Sequence, residues 1–201
     1  MSVLPGNVRR WWQALFAWLA EEPSVRAGFA VAIYTAPLLT LPAAVQTLVL
    51  RLAGGSFADR NAAWNADWAR SFPHSAFGYL FLLAWLVEIA VVEEVVFRLI
   101  PLRLVLRLRP TAGALTVAAV VASIVFGYGH GLGAGAGPVG SLAYIWGRGA
   151  EGLVLSVVFL KCGGLRRRPL KGLKGLGFSA LTHWLYDAAI FTLVFWGWRT
   201  V

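Results

Sequence analysis

Residues 81–100 read FLLAWLVEIAVVEEVVFRLI, an apolar run that carries Glu93 and Glu94 side by side and Arg98 four residues after the second. A charged side chain at the centre of a bilayer costs roughly 2.5–3.5 kcal/mol on insertion scales. Two adjacent carboxylates in such a run therefore need a neutralising partner or a use. Arg98 is one helical turn from Glu94 and shares its face, which makes Glu94 the member of an ion pair. Glu93 points about 100° away and is left free. A carboxylate held away from water is a competent general base for a water molecule at neutral pH. Two further apolar stretches bring imidazoles at helical spacing. His130 follows Phe126 by four residues, and His183 precedes Asp187 by four. Imidazoles can share the activation of water or donate to a developing oxyanion. Brought together inside a membrane, these residue types could do acid–base chemistry, whether on a water molecule or in a proton relay.

Each feature has a plainer reading. A Glu–Arg pair within a membrane can hold helices together, a histidine at the end of a span can be interfacial, and His183 with Asp187 can be a contact within one helix. Three separate helices each contributing such a group is harder to explain as packing. Sixteen residues separate Glu94 from Pro110 and twenty separate Pro110 from His130. If Pro110 marks the turn of an antiparallel hairpin, the two groups lie at similar depth. By contrast, Arg148 and Glu151, three apart, read as a structural ion pair, and Glu88 has no evident partner.

The elements that must position these groups are membrane helices. The chain has 201 residues, is 59% hydrophobic and only 13% charged, where a soluble domain carries about 25% charge. Its mean hydropathy is +0.70. The fold class expected is all-α, a polytopic transmembrane bundle of about five spans with an amphipathic helix at its N-terminus. Residues 7–22, NVRRWWQALFAWLAEE, are too short and too polar to cross a bilayer and suit the interface, so 1–27 is set apart from a membrane core of 28–201. The spans run over about 28–50, kinked by Pro37 and Pro42; from 76 through the glutamates and on to about 107; 112–128; 139–160; and 176–198. A polar loop is expected over 51–74, a glycine-rich turn over 129–140, and a basic loop from Lys161.

The net charge of +9 does not point to nucleic acid, because the basic residues sit in the short connections between apolar runs, and ten tryptophans suit interfacial belts. Thirteen of the eighteen Lys and Arg residues fall on the N-terminal side of this arrangement and four on the other. The excess of positive charge places the N-terminus in the cytoplasm, and five crossings place the C-terminus opposite. The single Cys162 excludes an internal disulfide and a cysteine-based metal cluster.

Glu93-Glu94-Val95-Val96-Phe97-Arg98 fits EExxxR, Phe126 to His130 fits FxxxH, and His183 to Asp187 fits HxxxN/D. In this order on successive apolar helices, within 76–195, they resemble the CPBP family of intramembrane proteases, which includes the CAAX prenyl endopeptidases and the bacterial Abi immunity proteins. The resemblance implies an endopeptidase that cuts near the C-terminus or membrane anchor of a membrane-anchored or lipid-modified protein. It implies that Glu93 activates water with His130, that His183 and Asp187 stabilise the oxyanion, that Glu94 supports the site, and that Arg98 and Phe126 are structural. Asn is commoner at the last motif position. An ionised Asp187 cannot donate a hydrogen bond, so it is either protonated or orients His183.

No cofactor is expected; the alternative is a zinc held by Glu93, His130 and His183, although the local HExxH pattern of helical zinc proteases is missing. The compact build is similar to members that process C-terminal sorting signals. The expected location is an integral membrane protein, in bacteria the inner membrane. A non-enzymatic alternative is a proton-coupled carrier or an immunity partner, because intramembrane Glu and His also serve proton relays.

Overall fold

A computed structural model describes residues 6–52, 56–108, 111–165 and 169–197. Among them the chain is helical, with no strand. Helix α1 spans Gly6–Ala20. Helix α2, Val25–Thr35, is capped by the Ser24 hydroxyl and continues through a 3-10 turn, Ala36–Leu39, into α3, Thr40–Leu52. Pro37 is the second residue of that turn, so the kink expected there is a local tightening of the helix. Helix α4 spans Ser56–Arg70, where a polar loop is expected. Its signal is in the sequence: Trp64 and Trp68 lie one turn apart with their rings 6.0 Å apart, and Arg70 pairs with Asp67 at 2.5 Å. Polarity alone does not distinguish a surface helix from a loop.

Helix α5, Ala76–Glu94, begins at a Ser75 cap and carries the glutamate pair at its end. It widens into a π-helical segment, Val95–Leu99, and continues as α6, Ile100–Leu108. Pro110, the expected hairpin turn, lies outside the described residues. Helix α7 runs from Ala112 to Gly133 and so takes in the first part of the expected glycine-rich turn. What remains of that turn is tight: Gly135 and Gly137 both have φ of 69°, the left-handed region that favours glycine. Helix α8, Gly137–Tyr144, a second π-helical segment, Ile145–Gly149, helix α9, Ala150–Phe159, and a third π-helical segment, Leu160–Gly164, form the fourth rod. Helix α10, Pro169–Phe195, is the last, and it starts earlier than the expected span. Residues 166–168 and 198–201, which include Arg199 and the C-terminus, lie outside the described residues.

Four helical stretches are long and apolar enough to cross a membrane: Val25–Leu48, Ala112–Gly133, Gly140–Gly164 and Gly172–Phe195. Helix α5 is the fifth apolar rod. It docks along α10 through buried Leu82 and Leu86 against Phe191 and Phe195. Polar ties reinforce that seam: Tyr79 Oη lies 2.8 Å from Thr192 Oγ1, and Trp184 Nε1 donates to the Leu83 carbonyl at 3.0 Å. Large apolar side chains face outward along the rods, among them Leu80, Val91, Val117, Val121 and Leu193. This is the reverse of a soluble protein and what a lipid solvent requires.

Helix α1 packs on the end of the bundle formed by α6, α7 and α9. Its Leu19 is buried with Leu102, Ala119, Phe159 and Leu160, while Trp11, Leu15 and Trp18 stay exposed. Lys161, expected in a solvated basic loop, is instead helical and nearly buried. Its Nζ donates to the Trp18 and Glu21 carbonyls at 2.6 and 2.7 Å. A lysine there supplies a charged donor to carbonyls at the C-terminal end of α1, where the helical hydrogen bonds run out. Lys174 of α10 reinforces the junction, with its Nζ 2.8 Å from Glu22 Oε1 and 2.7 Å from the Pro23 carbonyl.

Candidate active site

The site is assembled where α5, α7 and α10 come together. Close approach of α7 to the fourth rod depends on missing side chains. A Cβ on Gly127 would lie 2.7 Å from Gly149 N and 2.8 Å from the Tyr144 carbonyl. One turn on, a Cβ on Gly131 would meet Ser141 Cα at 2.5 Å. His130, between these contacts, is thereby fixed in depth. Its Nδ1 lies 2.9 Å from the Phe126 carbonyl. A carbonyl only accepts, so Nδ1 carries the proton and Nε2 presents a lone pair. That Nε2 stands 3.6 Å from Glu93 Oε1.

His183 enters from α10 on the other side of Glu93. Its Nε2 is 3.6 Å from Glu93 Oε2 and 3.3 Å from Asp187 Oδ2, and its Nδ1 is 3.1 Å from Glu94 Oε1. The same Glu94 oxygen lies 2.9 Å from Arg98 Nη1. That pair is an ion pair by distance but not a well-angled hydrogen bond, since both Arg98 Nη atoms and Glu94 Oε2 have no hydrogen-bond partner among the described residues. Phe126 closes the back of the site. Its ring centroid is 4.4 Å from Arg98 Cζ, 4.4 Å from the His130 ring, 5.2 Å from Phe97 and 6.0 Å from His183. Gly152 of α9 leaves room for the guanidinium, since a Cβ there would stand 3.0 Å from Arg98 Nη2.

All seven residues singled out in the three motifs are thus brought together: Glu93, Glu94, Arg98, Phe126, His130, His183 and Asp187. The structure adds a link that spacing alone does not reveal, from Glu94 to His183. It also brings in a second ion pair. Arg148 Nη1 lies 2.9 Å from Glu151 Oε2, the Tyr186 hydroxyl donates to Glu151 Oε1 at 3.2 Å, and Gln46 Oε1 accepts from the Arg148 backbone N–H at 3.1 Å. Gln46 and Tyr186 carry no local sequence signal for this role, because the contacts join residues 102 and 35 positions apart. Glu88 lies exposed on α5.

The three residues of the zinc alternative do meet, both imidazole Nε2 atoms standing 3.6 Å from Glu93. His130 could offer a lone pair to a metal. His183 could do so only through Nε2, since its Nδ1 is hydrogen-bonded to Glu94, and only while Nε2 carries no proton toward Asp187 Oδ2, 3.3 Å away. Among the described residues no three His, Cys, Asp or Glu side chains are grouped to hold a metal ion.

A helical membrane bundle with carboxylates and imidazoles converging in its interior holds the groups that hydrolysis inside a membrane would use. The comparison with known families agrees: the model of the Rce1-like type II CAAX prenyl endopeptidases matches residues 75–189, more than half of the chain, and this protein belongs to that family. No curated protein and no solved structure matches it.

Proposed function

We propose that Glu93 is the general base of an intramembrane endopeptidase and that it activates water together with His130. The observation that carries this reading is the position of Glu93 between two imidazoles, 3.6 Å from each, with 22% of its side chain exposed. A water hydrogen-bonded to Glu93 and to the His130 lone pair would lose its proton to the carboxylate as it attacks the scissile carbonyl. The proton then passes to the departing amine, which balances the hydrolysis.

Glu94 and Arg98 act behind this front. They are 0% and 1% exposed at the side chain, out of reach of a substrate, and hold His183 at Nδ1. Asp187 holds the same ring at Nε2. The ring's Nδ1 is hydrogen-bonded to Glu94 and its Nε2 stands at ion-pair distance, 3.3 Å, from Asp187 Oδ2, an arrangement that suits an imidazole with both nitrogens protonated. His183 is thereby a fixed positive charge beside the place where the oxyanion forms, and Asp187 is the group that orients it. The mechanism proposed needs no metal.

Family membership implies a membrane-associated, prenylated protein as substrate. We infer that cleavage falls near the C-terminus or membrane anchor of such a protein, with C-terminal sorting signals as the prokaryotic counterpart of prenylated ends. The excess of basic residues on the N-terminal side supports a cytoplasmic N-terminus for this integral membrane protein. The test is cleavage of a farnesylated, internally quenched CAAX peptide by the protein in proteoliposomes. The Glu93→Gln variant is expected to lose about 10²–10⁴-fold in kcat while unfolding at the same temperature. Undiminished cleavage by that variant sinks the glutamate mechanism, and cleavage abolished by zinc chelation restores the metal alternative.

A further inference from the structure

The charged and ring groups of the site divide by exposure. Glu94, Arg98 and His183 are at most 4% exposed at the side chain and form a back row, whereas Glu93, His130, Asp187 and Arg148 are 22%, 21%, 12% and 13% exposed and form the front. Three of the four front groups offer only acceptors toward a substrate. Glu93 and Asp187 are carboxylates, and His130 has committed its one N–H to the Phe126 carbonyl. Arg148 is the only front group rich in donors. Hydrolysis of an amide needs a donor for the carbonyl oxygen as it gains charge, worth about 10²–10³ in kcat for a single donor. The Asn that commonly ends the third motif could donate through its amide; Asp187 cannot while it holds the His183 ring.

Arg148 is built into its place by four elements. Gln46 of α3 fixes its backbone N–H, Glu151 of α9 takes Nη1, and Tyr186 of α10 both bonds Glu151 and lies under the guanidinium, 5.8 Å from Cζ to the ring centroid. The π-helical segment that carries it, Ile145–Gly149, is pressed against α7 at Gly127. Tyr186 is the chain neighbour of Asp187, and Gly152, one helical turn after Arg148, faces the site, where a Cβ would stand 3.0 Å from Arg98 Nη2 and 3.1 Å from the Phe126 ring. Among the described residues the guanidinium is hydrogen-bonded through Nη1 alone, which leaves an edge of N–H donors.

We propose that Arg148 is a further catalytic residue, whose free guanidinium edge donates to the oxyanion of the tetrahedral intermediate in place of the amide that Asp187 lacks. This rests on the endopeptidase reading above. The bond formed is that of the attacking water oxygen to the carbonyl carbon, and the electron pair displaced onto the carbonyl oxygen stays there and accepts hydrogen bonds that the Arg148 N–H groups donate. Glu151 and Tyr186 are positioning residues.

The farnesylated CAAX peptide in proteoliposomes also serves as the test. Arg148→Met is expected to lower kcat about 10²–10³-fold with little change in KM, the pattern of an interaction made only in the transition state. Glu151→Gln keeps an acceptor for Nη1 and is expected to lose less than about tenfold. In an Asp187→Asn background, Arg148→Met is expected to cost less than about tenfold, because the amide supplies the missing donor. The double variant Arg148→Met/Glu151→Gln removes both charges and keeps the comparison readable if Arg148→Met alone fails to fold. Equal losses for Arg148→Met and Glu151→Gln, or full additivity with Asp187→Asn, would reduce the pair to a structural tie and overturn the proposal. Unchanged kcat in Arg148→Met, with Glu93→Gln inactive, overturns it while leaving the endopeptidase reading intact. No cleavage by the parent protein overturns both.

Discussion

Glu94 and Arg98 pose the sharpest energetic question in the molecule, because both are fully buried and neither satisfies all its polar atoms. The Coulomb attraction of a pair 2.9 Å apart offsets the desolvation of two ions only in part. Removing one partner is much worse than removing both. Arg98→Met is therefore expected to destabilise the protein by about 3–5 kcal/mol, leaving Glu94 charged and unmatched except for His183. Glu94→Gln/Arg98→Met should recover most of that loss in thermal unfolding, and still lack activity because His183 is no longer held at Nδ1. Recovery of activity by the double variant would show that Glu94 matters only as a counterion. The pairing of Glu94 with Arg98 was readable from four-residue spacing, and so was the freedom of Glu93. The attachment of Glu94 to His183 was not, since it joins residues 89 apart and depends on how α5 lies against α10.

At the scale of elements, the geometry of the candidate site depends on how closely α7 approaches the fourth rod. Gly127 and Gly131 lie on the face of α7 that meets it, while Gly129 and Gly133 on the opposite face would put a Cβ into open space. The prediction separates these faces. Gly127→Ala would press on the backbone of residues 144–149, cost about 1–3 kcal/mol as overpacking, and move His130 away from Glu93, so peptide cleavage should fall more than stability does. Gly129→Ala meets nothing and should raise helix stability by several tenths of a kcal/mol without loss of cleavage. A matching loss in both variants would mean that glycine serves helix flexibility and not contact.

The motif residues and apolar rods were legible because four-residue spacing and hydropathy are local properties. The π-helical segments Val95–Leu99 and Ile145–Gly149 were not, since each is one widened turn inside a longer helical rod, and Leu160–Gly164 bends at Gly163, whose φ is 124°. The glycine-rich stretch 129–140 was read as a turn on composition, but packing against Ser141 and Tyr144 compensates the low helical propensity of glycine through residue 133. The helix at 56–70 was masked by its polarity.

At the scale of the whole molecule, the two ends of the chain report how many rods cross the bilayer. Four stretches qualify by length and hydropathy, and the helix with the glutamate pair makes five. An odd number puts the two ends of the described chain on opposite sides; an even number puts them on the same side. Trp11 on α1 and Trp196 after α10 are exposed, while Cys162 is buried and can be replaced by Ala to leave a background without thiols. In that background, Trp11→Cys should react with a membrane-impermeant maleimide only when the cytoplasmic face is accessible, as in inverted vesicles, and Trp196→Cys only in vesicles of the opposite orientation. Labelling of both from one face would mean that α5 and α6 together do not cross, which would bring the catalytic pair to a water-exposed depth. The Lys161 and Lys174 clasp makes the first of these sites informative, because it ties α1 to the bundle at a known end. Lys161→Met removes the donor to the carbonyls of Trp18 and Glu21 at the end of α1, at about 1–3 kcal/mol for bonds to a charged group. It should expose the segment around Glu21 and Pro23 to limited proteolysis while leaving the maleimide pattern of Trp196→Cys unchanged. An N-terminal helix held by the bilayer alone would instead show no change in proteolysis in that variant.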